Sequence, residues 1–216
     1  MKRYLPILVA IALNACGNED TSKPKVSDIK LPVQNINPTP DQAERRKKSE
    51  EICKAYGVPV YSNPNSLFVD AEAAVTLRTK DEVVDRALAL CFLGLKSEGL
   101  TPEELAKFDR DYNISPKFSP KEKKYARAKE PAQQETVDAN WRYESLHVML
   151  WSLGFIDSLT YPDKMCVVAD DVKHIFSVKE NEFRKKATLR SKKEILDQAD
   201  LILRLYWAFV DARVKK

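Results

Sequence analysis

From residue 41 onward, apolar side chains recur every three or four positions, which is the spacing of one face of an α-helix. One such face is formed by Val84, Leu88, Cys91 and Leu95. No segment keeps the alternation of a strand, although residues 58–61 and 67–69 have the composition of short extended pieces. The pattern therefore predicts an all-α fold.

Helix starts are marked by a hydroxyl residue followed three positions later by Glu or Gln, so that side chain and backbone satisfy each other's hydrogen bonds. The pairs with this spacing are Thr39–Gln42, Thr79–Glu82, Thr101–Glu104, Ser119–Glu122, Ser177–Glu180 and Ser191–Glu194. Pro40, Pro102 and Pro120 stand at first helical positions, where no N–H group is needed. Gly57 and Gly99 are placed to end helices in the left-handed conformation.

These signals predict helices near residues 41–56, 80–98, 102–112, 120–129, 133–153, 169–176 and 192–213. The segment 133–153 is apolar nearly all round, which is typical of a helix that others surround. We expect it to be the buried central helix of a single globular domain, residues 41–216. We expect the helix at 192–213 to pack against it.

The first sixteen residues have the order of a bacterial export signal. Lys2 and Arg3 precede an apolar stretch over residues 4–13, and Leu13-Asn14-Ala15 leads directly to Cys16. This spacing resembles the lipobox of bacterial lipoproteins, in which the chain is cut before the cysteine and the thiol is acylated. We predict a lipoprotein signal peptide at 1–15 and lipidation, palmitate included, at Cys16. A plain secretory signal with a chance cysteine is the alternative.

Residues 16–40 carry four prolines and few aliphatic side chains, so they bury too little apolar surface to offset the entropy of ordering. We predict a flexible tether that reaches up to roughly 70 Å from the membrane. Gly17, after the modified cysteine, resembles the outer-membrane sorting pattern of Gram-negative lipoproteins. We therefore expect a protein lipid-anchored to the cell membrane, in the outer membrane and facing the periplasm.

The composition excludes several classes of protein. With 44% hydrophobic residues the chain is not wholly disordered, and no apolar run reaches the roughly 18 residues of a membrane-spanning helix. The 36 basic and 32 acidic residues nearly balance, so nucleic acid is not an expected partner. Basic clusters at 45–48, 121–129 and 184–193 are interpreted as solvated helix faces, with contact to an anionic envelope component as the alternative.

Several short runs of residues together resemble one bacterial family. They are Lys47–Ile52 followed by Gly57–Val60, Trp141–Glu144 followed by Trp151–Gly154, and Leu189–Ser191 followed by Trp207–Arg213. On these runs, residues 45–213 are similar to the family of domain of unknown function 4272. The resemblance implies a helical domain with no established activity.

Polar residues inside the apolar helices are the candidates for chemistry. They are Arg142, Glu144 and His147 in the predicted central helix, and Arg204, Trp207 and Asp211, with Asp200, in the last helix. Charged groups near a core need partners, so we interpret these residues as a salt-bridged network that fixes the register of the two helices. The alternative is a polar cleft at the helix junction, in which tryptophans supply apolar walls.

Two pairs place a carboxylate and an imidazole one helical turn apart, Glu144 with His147 and Asp171 with His174, as in ferritin-like di-iron bundles. Such sites need further inward-facing carboxylates, and the chain has 2 histidines. We therefore expect no metal site and no cofactor. No Gly-x-Ser-x-Gly, glycine-rich phosphate loop or His-Glu-x-x-His run is present, so the catalytic residues are unknown.

Besides Cys16 the chain has three cysteines: Cys53, Cys91 and Cys166. In an oxidising compartment an odd number leaves at least one free thiol unless chains pair. A bridge between Cys53 and Cys166 is one alternative, and three buried thiols are the other.

The function predicted from the sequence is that of a lipoprotein, anchored to the bilayer through Cys16, whose helical domain binds or scaffolds an envelope component. The alternative is an enzyme with a polar cleft formed by the helices at 133–153 and 192–213. The sequence favours the first of these two functions.

Overall fold

The computed structural model describes residues 37–60 and 66–215. The helices are α1 (Pro40–Ala55), α2 (Lys80–Ser97), α3 (Pro102–Tyr112), α4 (Pro120–Arg127), α5 (Gln133–Asn140), α6 (Arg142–Ser152), α7 (Val168–Phe176), α8 (Glu180–Lys186) and α9 (Lys192–Val214). Single 3-10 turns lie at Glu72–Ala74 and Ser115–Lys117. The described part of the chain contains no strand, and residues 58–60 and 67–69 are irregular, so the all-α prediction is confirmed.

The predicted signal peptide, the predicted lipidation site Cys16 and most of the predicted tether lie outside the described residues. Within the described residues, no helix combines the length and the apolar composition needed to cross a bilayer.

The predicted helix starts follow from their caps. Four helices begin with both bonds of the capping pair. The N-cap hydroxyl accepts a hydrogen bond from the backbone N–H three residues later, and the glutamate at that later position accepts one from the N-cap backbone N–H. The N-cap residues are Thr79, Thr101, Ser119 and Ser191. At α1 the returning bond is present, from the Thr39 N–H to Gln42 at 3.0 Å. Gly57 and Gly99 end their helices with φ of +69° and +86°, in the left-handed region that a side chain disfavours.

The sixth predicted capping pair, Ser177 with Glu180, is wrong. Ser177 is the last residue associated with α7, with φ −73° and ψ −11°, and α8 instead begins after Lys179. An N-cap residue needs an extended backbone, which Ser177 does not have because the preceding helix runs into it. The helix α8 is also absent from the predicted helices.

The predicted continuous helix over 133–153 is also wrong, because Trp141 divides it into α5 and α6. Trp141 has ψ −9°, near zero rather than the helical value of about −42°. Its N–H still bonds to the Val137 carbonyl at 3.2 Å, so the chain stays coiled through the break.

By its contacts, the described chain falls into two compact units. The smaller contains residues up to Thr76 and from Ser191 onward, and the larger is Leu77–Arg190. In the smaller unit α9 packs against α1. The structure therefore corrects the prediction that the last helix joins the segment 133–153 in one core, since the two lie in different units.

The central helix of the larger unit is α2 rather than the predicted segment 133–153. Every residue of α2 from Ala87 to Leu95 is buried, because no charged side chain interrupts that stretch. The buried face of α6 packs against it and consists of Tyr143, Leu146 and Leu150. Arg86 of α2 forms a two-bond ion pair with Glu122 of α4, at 2.8 and 2.7 Å.

Candidate functional site

The larger unit brings four chemically active side chains together at the junction of α6 and α7. Glu144 and His147 lie one turn apart on α6, beside the face that packs on α2. Asp171 lies in the first turn of α7, and Cys166 lies in the irregular segment just before that helix. Ile175, one turn after Asp171, is fully buried in the core and thereby anchors α7.

His147 and Asp171 form the centre of this cluster. The Nδ1 atom of His147 lies 2.9 Å from one carboxylate oxygen of Asp171 and 3.1 Å from the other. Asp171 is only 2% exposed, whereas His147 remains partly accessible to solvent. A buried carboxylate needs a hydrogen-bond donor, and His147 supplies it.

Glu144 connects the same helix to Cys166. Its Oε1 atom accepts a hydrogen bond from the backbone N–H of Cys166 at 2.9 Å. One potential ligand atom from each of His147, Cys166 and Asp171 lies within 4.8 Å of the other two. Across residues 37–60 and 66–215, no lysine or arginine forms an ion pair with Glu144 or Asp171.

The Cys166 thiol is protonated at neutral pH. Burial raises its pKa, and the neighbouring carboxylates of Glu144 and Asp171 raise it further, because each disfavours a second negative charge. Reactive cysteines sit in electropositive surroundings that lower the thiol pKa, and Cys166 has the opposite environment. It is therefore not an activated nucleophile.

The imidazole of His147 is held toward its charged form. The hydrogen bond to Asp171 raises the pKa of His147, burial opposes that change, and the charges of Asp171 and Glu144 support it. Because the folded-state pKa exceeds the unfolded one, the resulting stabilisation is complete below about pH 6.5 and is lost as the pH rises through the folded-state pKa.

We expect Asp171→Asn to lower the pKa of His147, since the substitution removes the negative charge that favours imidazolium and leaves burial to oppose it. The measurement is an NMR pH titration of the histidine ring protons in buffer containing EDTA. The His174→Gln variant assigns the two signals. An unchanged His147 pKa in Asp171→Asn would mean that the carboxylate does not control this imidazole.

The predicted site residues of the last helix have other neighbours. Arg204 is buried and pairs with Asp200 at 3.4 Å, and also donates to the Ser66 hydroxyl and the Leu67 carbonyl. These contacts lie within the smaller unit.

The remaining predicted site residues are placed as follows. Trp207 lies edge-on to Tyr206, with ring centroids 6.1 Å apart, and Asp211 pairs with Lys215 at 2.7 Å. Arg142 is half-buried at the first position of α6. The structure thus brings Glu144 and His147 together with Asp171 and Cys166, and places Arg204, Trp207 and Asp211 in the other unit.

Cys166 is not among the predicted site residues, and the spacing along α7 pairs Asp171 with His174 rather than with His147. His174 does share a helix with Asp171, but its ring packs near Phe155, with centroids 5.8 Å apart. The sequence does contain a pattern that could have indicated the cluster. Two carboxylate-x-x-His spacings occur on neighbouring helices, and Cys166 comes shortly before the second of them. Spacing along one helix does not show which side chains meet across two.

Cys53, Cys91 and Cys166 are all free thiols in the structure, which agrees with the alternative of three buried thiols only in part. Cys53 and Cys91 are buried, whereas Cys166 is partly exposed.

Two of the basic clusters are engaged in ion pairs. Arg45 pairs with Asp41 and Asp197, and Arg184 pairs with Asp85 and Glu180. Arg46 pairs with Glu50, so three arginines of these clusters have acidic partners within their own units. Arg190 instead donates to the backbone carbonyls of Trp151, Ile156 and Asp157.

A family model with the description "Domain of unknown function (DUF4272)" matches residues 45–216. No curated protein and no solved structure matches the chain. The family match spans all the helices from within α1 to α9, and so includes the cluster at Cys166.

Proposed function

The chain belongs to the family of domain of unknown function 4272, and we propose that it is a lipid-anchored lipoprotein of the bacterial envelope whose helical domain binds or scaffolds an envelope protein. The family description names no activity. The proposal therefore rests on the chain's own residues.

The lipid anchor is supported by the leader. A basic start, an apolar stretch over residues 4–13 and a cysteine at position 16 occur in the order that export and acylation require. Each buried methylene of an acyl chain contributes about 0.8 kcal/mol, so two or more chains on Cys16 hold the protein at a bilayer. The outer membrane, facing the periplasm, is the location we propose.

The anchor is tested by labelling cells with a palmitate analogue and by measuring the intact mass of the native protein. We expect a product that begins at Cys16 and carries label, and loss of the label in Cys16→Ala. Cys166→Ser is the matched control and should keep the label. An uncut start with an unmodified Cys16 would overturn the anchor.

A binding role is supported by exposed apolar side chains in the larger unit. Met165 is 70% exposed and Val167 is 62% exposed, on either side of Cys166. Burying a side chain of this size against a partner contributes about 1.5–3 kcal/mol. The polar residues proposed for a cleft, in contrast, already have partners inside the fold. Glu144 accepts a hydrogen bond from a backbone N–H, and Arg204 pairs with Asp200. This exposure of Met165 and Val167 is the observation that carries the binding proposal.

The binding role is tested by placing a photo-crosslinking amino acid at Val167 in the acylated protein in growing cells. We expect one defined adduct with an envelope protein, and none from Lys107, an exposed position on α3 that serves as the control. The adduct should disappear when Met165→Lys is added. No adduct at Val167, or the same adduct from Lys107, would count against a partner at this surface.

A further inference from the structure

We propose that His147, Cys166 and Asp171 form a binding site for a divalent transition-metal ion of zinc-like preference. The ion binds to the imidazole, the thiolate and the carboxylate. This site is separate from the lipid anchor and does not depend on the proposed binding role.

The donor set selects the class of ion. Imidazole nitrogen, thiolate sulfur and carboxylate oxygen together are ligands that Zn²⁺ and Co²⁺ accept, whereas Ca²⁺ and Mg²⁺ prefer oxygen alone. Three protein ligands leave one tetrahedral position for water. The ion taken by this cluster should therefore be a borderline transition metal.

The distances fit this use. One donor atom from each of the three side chains lies within 4.8 Å of the others. Donor atoms around tetrahedral Zn²⁺ are about 3.3–3.8 Å apart, from metal–ligand bonds of about 2.0–2.3 Å. Rotation of the Cys166 side chain about χ1 moves its sulfur to close that difference, while its backbone stays bonded to Glu144.

The local charge also favours a cation. Two carboxylates, Glu144 and Asp171, flank the thiol, and neither forms an ion pair with a lysine or arginine among the described residues. Asp171 is 2% exposed, so solvent does little to offset its charge. Where His147 is protonated, its contact with Asp171 offsets one of these charges. A metal ion binds the thiolate and the neutral imidazole, so the proton of the Cys166 thiol and the proton on the ligating nitrogen of His147 both pass to solvent. The divalent ion then compensates the carboxylates in place of the imidazolium.

The site is built and can be reached. Glu144 fixes the backbone of Cys166 by accepting its N–H at 2.9 Å, and Ile175 anchors the helix that carries Asp171. Such outer contacts orient metal ligands and are themselves important for affinity. His147 is partly exposed, and so are the neighbours of Cys166 in the chain, so an ion enters from solvent.

This ligand set differs from the two helical pairs found in the sequence. It takes His147 from the first pair and Asp171 from the second, and adds Cys166. His174 is not part of it, because its ring packs near Phe155.

The test is a titration of the full chain, stripped of metal, with Co²⁺ and then Zn²⁺. We expect one equivalent of Co²⁺ to bind with a thiolate-to-cobalt charge-transfer absorption, and Zn²⁺ to displace it. Excess Mg²⁺ or Ca²⁺ should leave the absorption unchanged. Zinc affinity is measured by competition with a chromophoric chelator.

Variants assign the ligands. Cys166→Ser should abolish the charge-transfer absorption and weaken zinc binding at least about tenfold to a hundredfold. Serine is close to cysteine in size and keeps the backbone N–H that bonds to Glu144, so this variant should fold, as circular dichroism can verify. His147→Gln should weaken binding to a similar degree. The matched controls Cys53→Ser and His174→Gln should bind as the parent does.

Several outcomes would overturn the site. They are the absence of Co²⁺ and Zn²⁺ binding by the parent chain, an absorption that survives in Cys166→Ser, or equal losses in Cys166→Ser and Cys53→Ser. Displacement of Co²⁺ by Mg²⁺ as readily as by Zn²⁺ would overturn the ion class.

Discussion

Arg204→Met lowers the free energy of unfolding by about 3–5 kcal/mol, because it leaves the carboxylate of Asp200 buried without its cation. The side chains of Arg204 and Asp200 are only 5% and 1% exposed, and they lie 3.4 Å apart on α9. Burial raises the pKa of Asp200 and lowers the pKa of Arg204, so both charges are held in the interior at a cost. Methionine restores much of the volume but none of the charge.

We expect the free energy of unfolding to return toward the parent value when the charges of both Asp200 and Arg204 are removed. Asp200→Leu combined with Arg204→Met replaces the pair by apolar groups, and such replacements are often neutral or stabilising. We therefore expect the double variant to unfold at a higher urea concentration than Arg204→Met alone, and close to that of the parent.

A surface pair at the C-terminal end of the same helix is the matched control. Lys215→Met breaks the pair with Asp211, which has the same four-residue spacing but an exposed lysine. Exposed pairs contribute about 0–1 kcal/mol, so this substitution should change stability little. Equal losses from Lys215→Met and Arg204→Met would show that burial of Asp200 is not the reason.

Gly94→Ala should destabilise the larger unit by about 2 kcal/mol, although alanine is the better helix former. A Cβ atom at Gly94 would lie 2.5–2.8 Å from three ring carbons of Tyr143. The ring is buried, and its hydroxyl donates to Glu98 at 3.1 Å, so it has little freedom to move aside. Overpacking a core costs about 1–3 kcal/mol, and we take the upper value because the ring is held in place. The higher helix propensity of alanine recovers about 1 kcal/mol of that cost.

Removing the ring isolates the cause. In a Tyr143→Leu background the added methyl of Gly94→Ala has room, so the substitution should become neutral or stabilising there. The double-mutant cycle is measured by urea denaturation followed by circular dichroism. The same loss in both backgrounds would contradict a clash between Gly94 and Tyr143.

The sequence predicts only part of the candidate metal cluster. Glu144 and His147 are predicted to share a face from their spacing alone, and the structure places them so. Asp171 lies 24 residues from His147 in the chain, and its contact depends on how α7 packs against α6. No local pattern contains that information, so Cys166 was considered only for a disulfide.

Where local signals compete, tertiary contacts decide. Ser177 has the right spacing to Glu180 for a capping pair, yet the end of α7 holds it in a helical conformation. The apolar segment 133–153 looks like one helix, yet its two parts both pack against α2 on either side of Trp141.

By itself, the sequence determined the helical class, most helix starts and the left-handed ends at Gly57 and Gly99, because these depend on residues within about four positions of one another. The tertiary structure alone decided that α2 is the buried helix, that α9 packs against α1, and that His147, Asp171 and Cys166 meet. Apolar faces are interchangeable in a sequence, since burial is non-directional, and only the packed fold selects which faces meet.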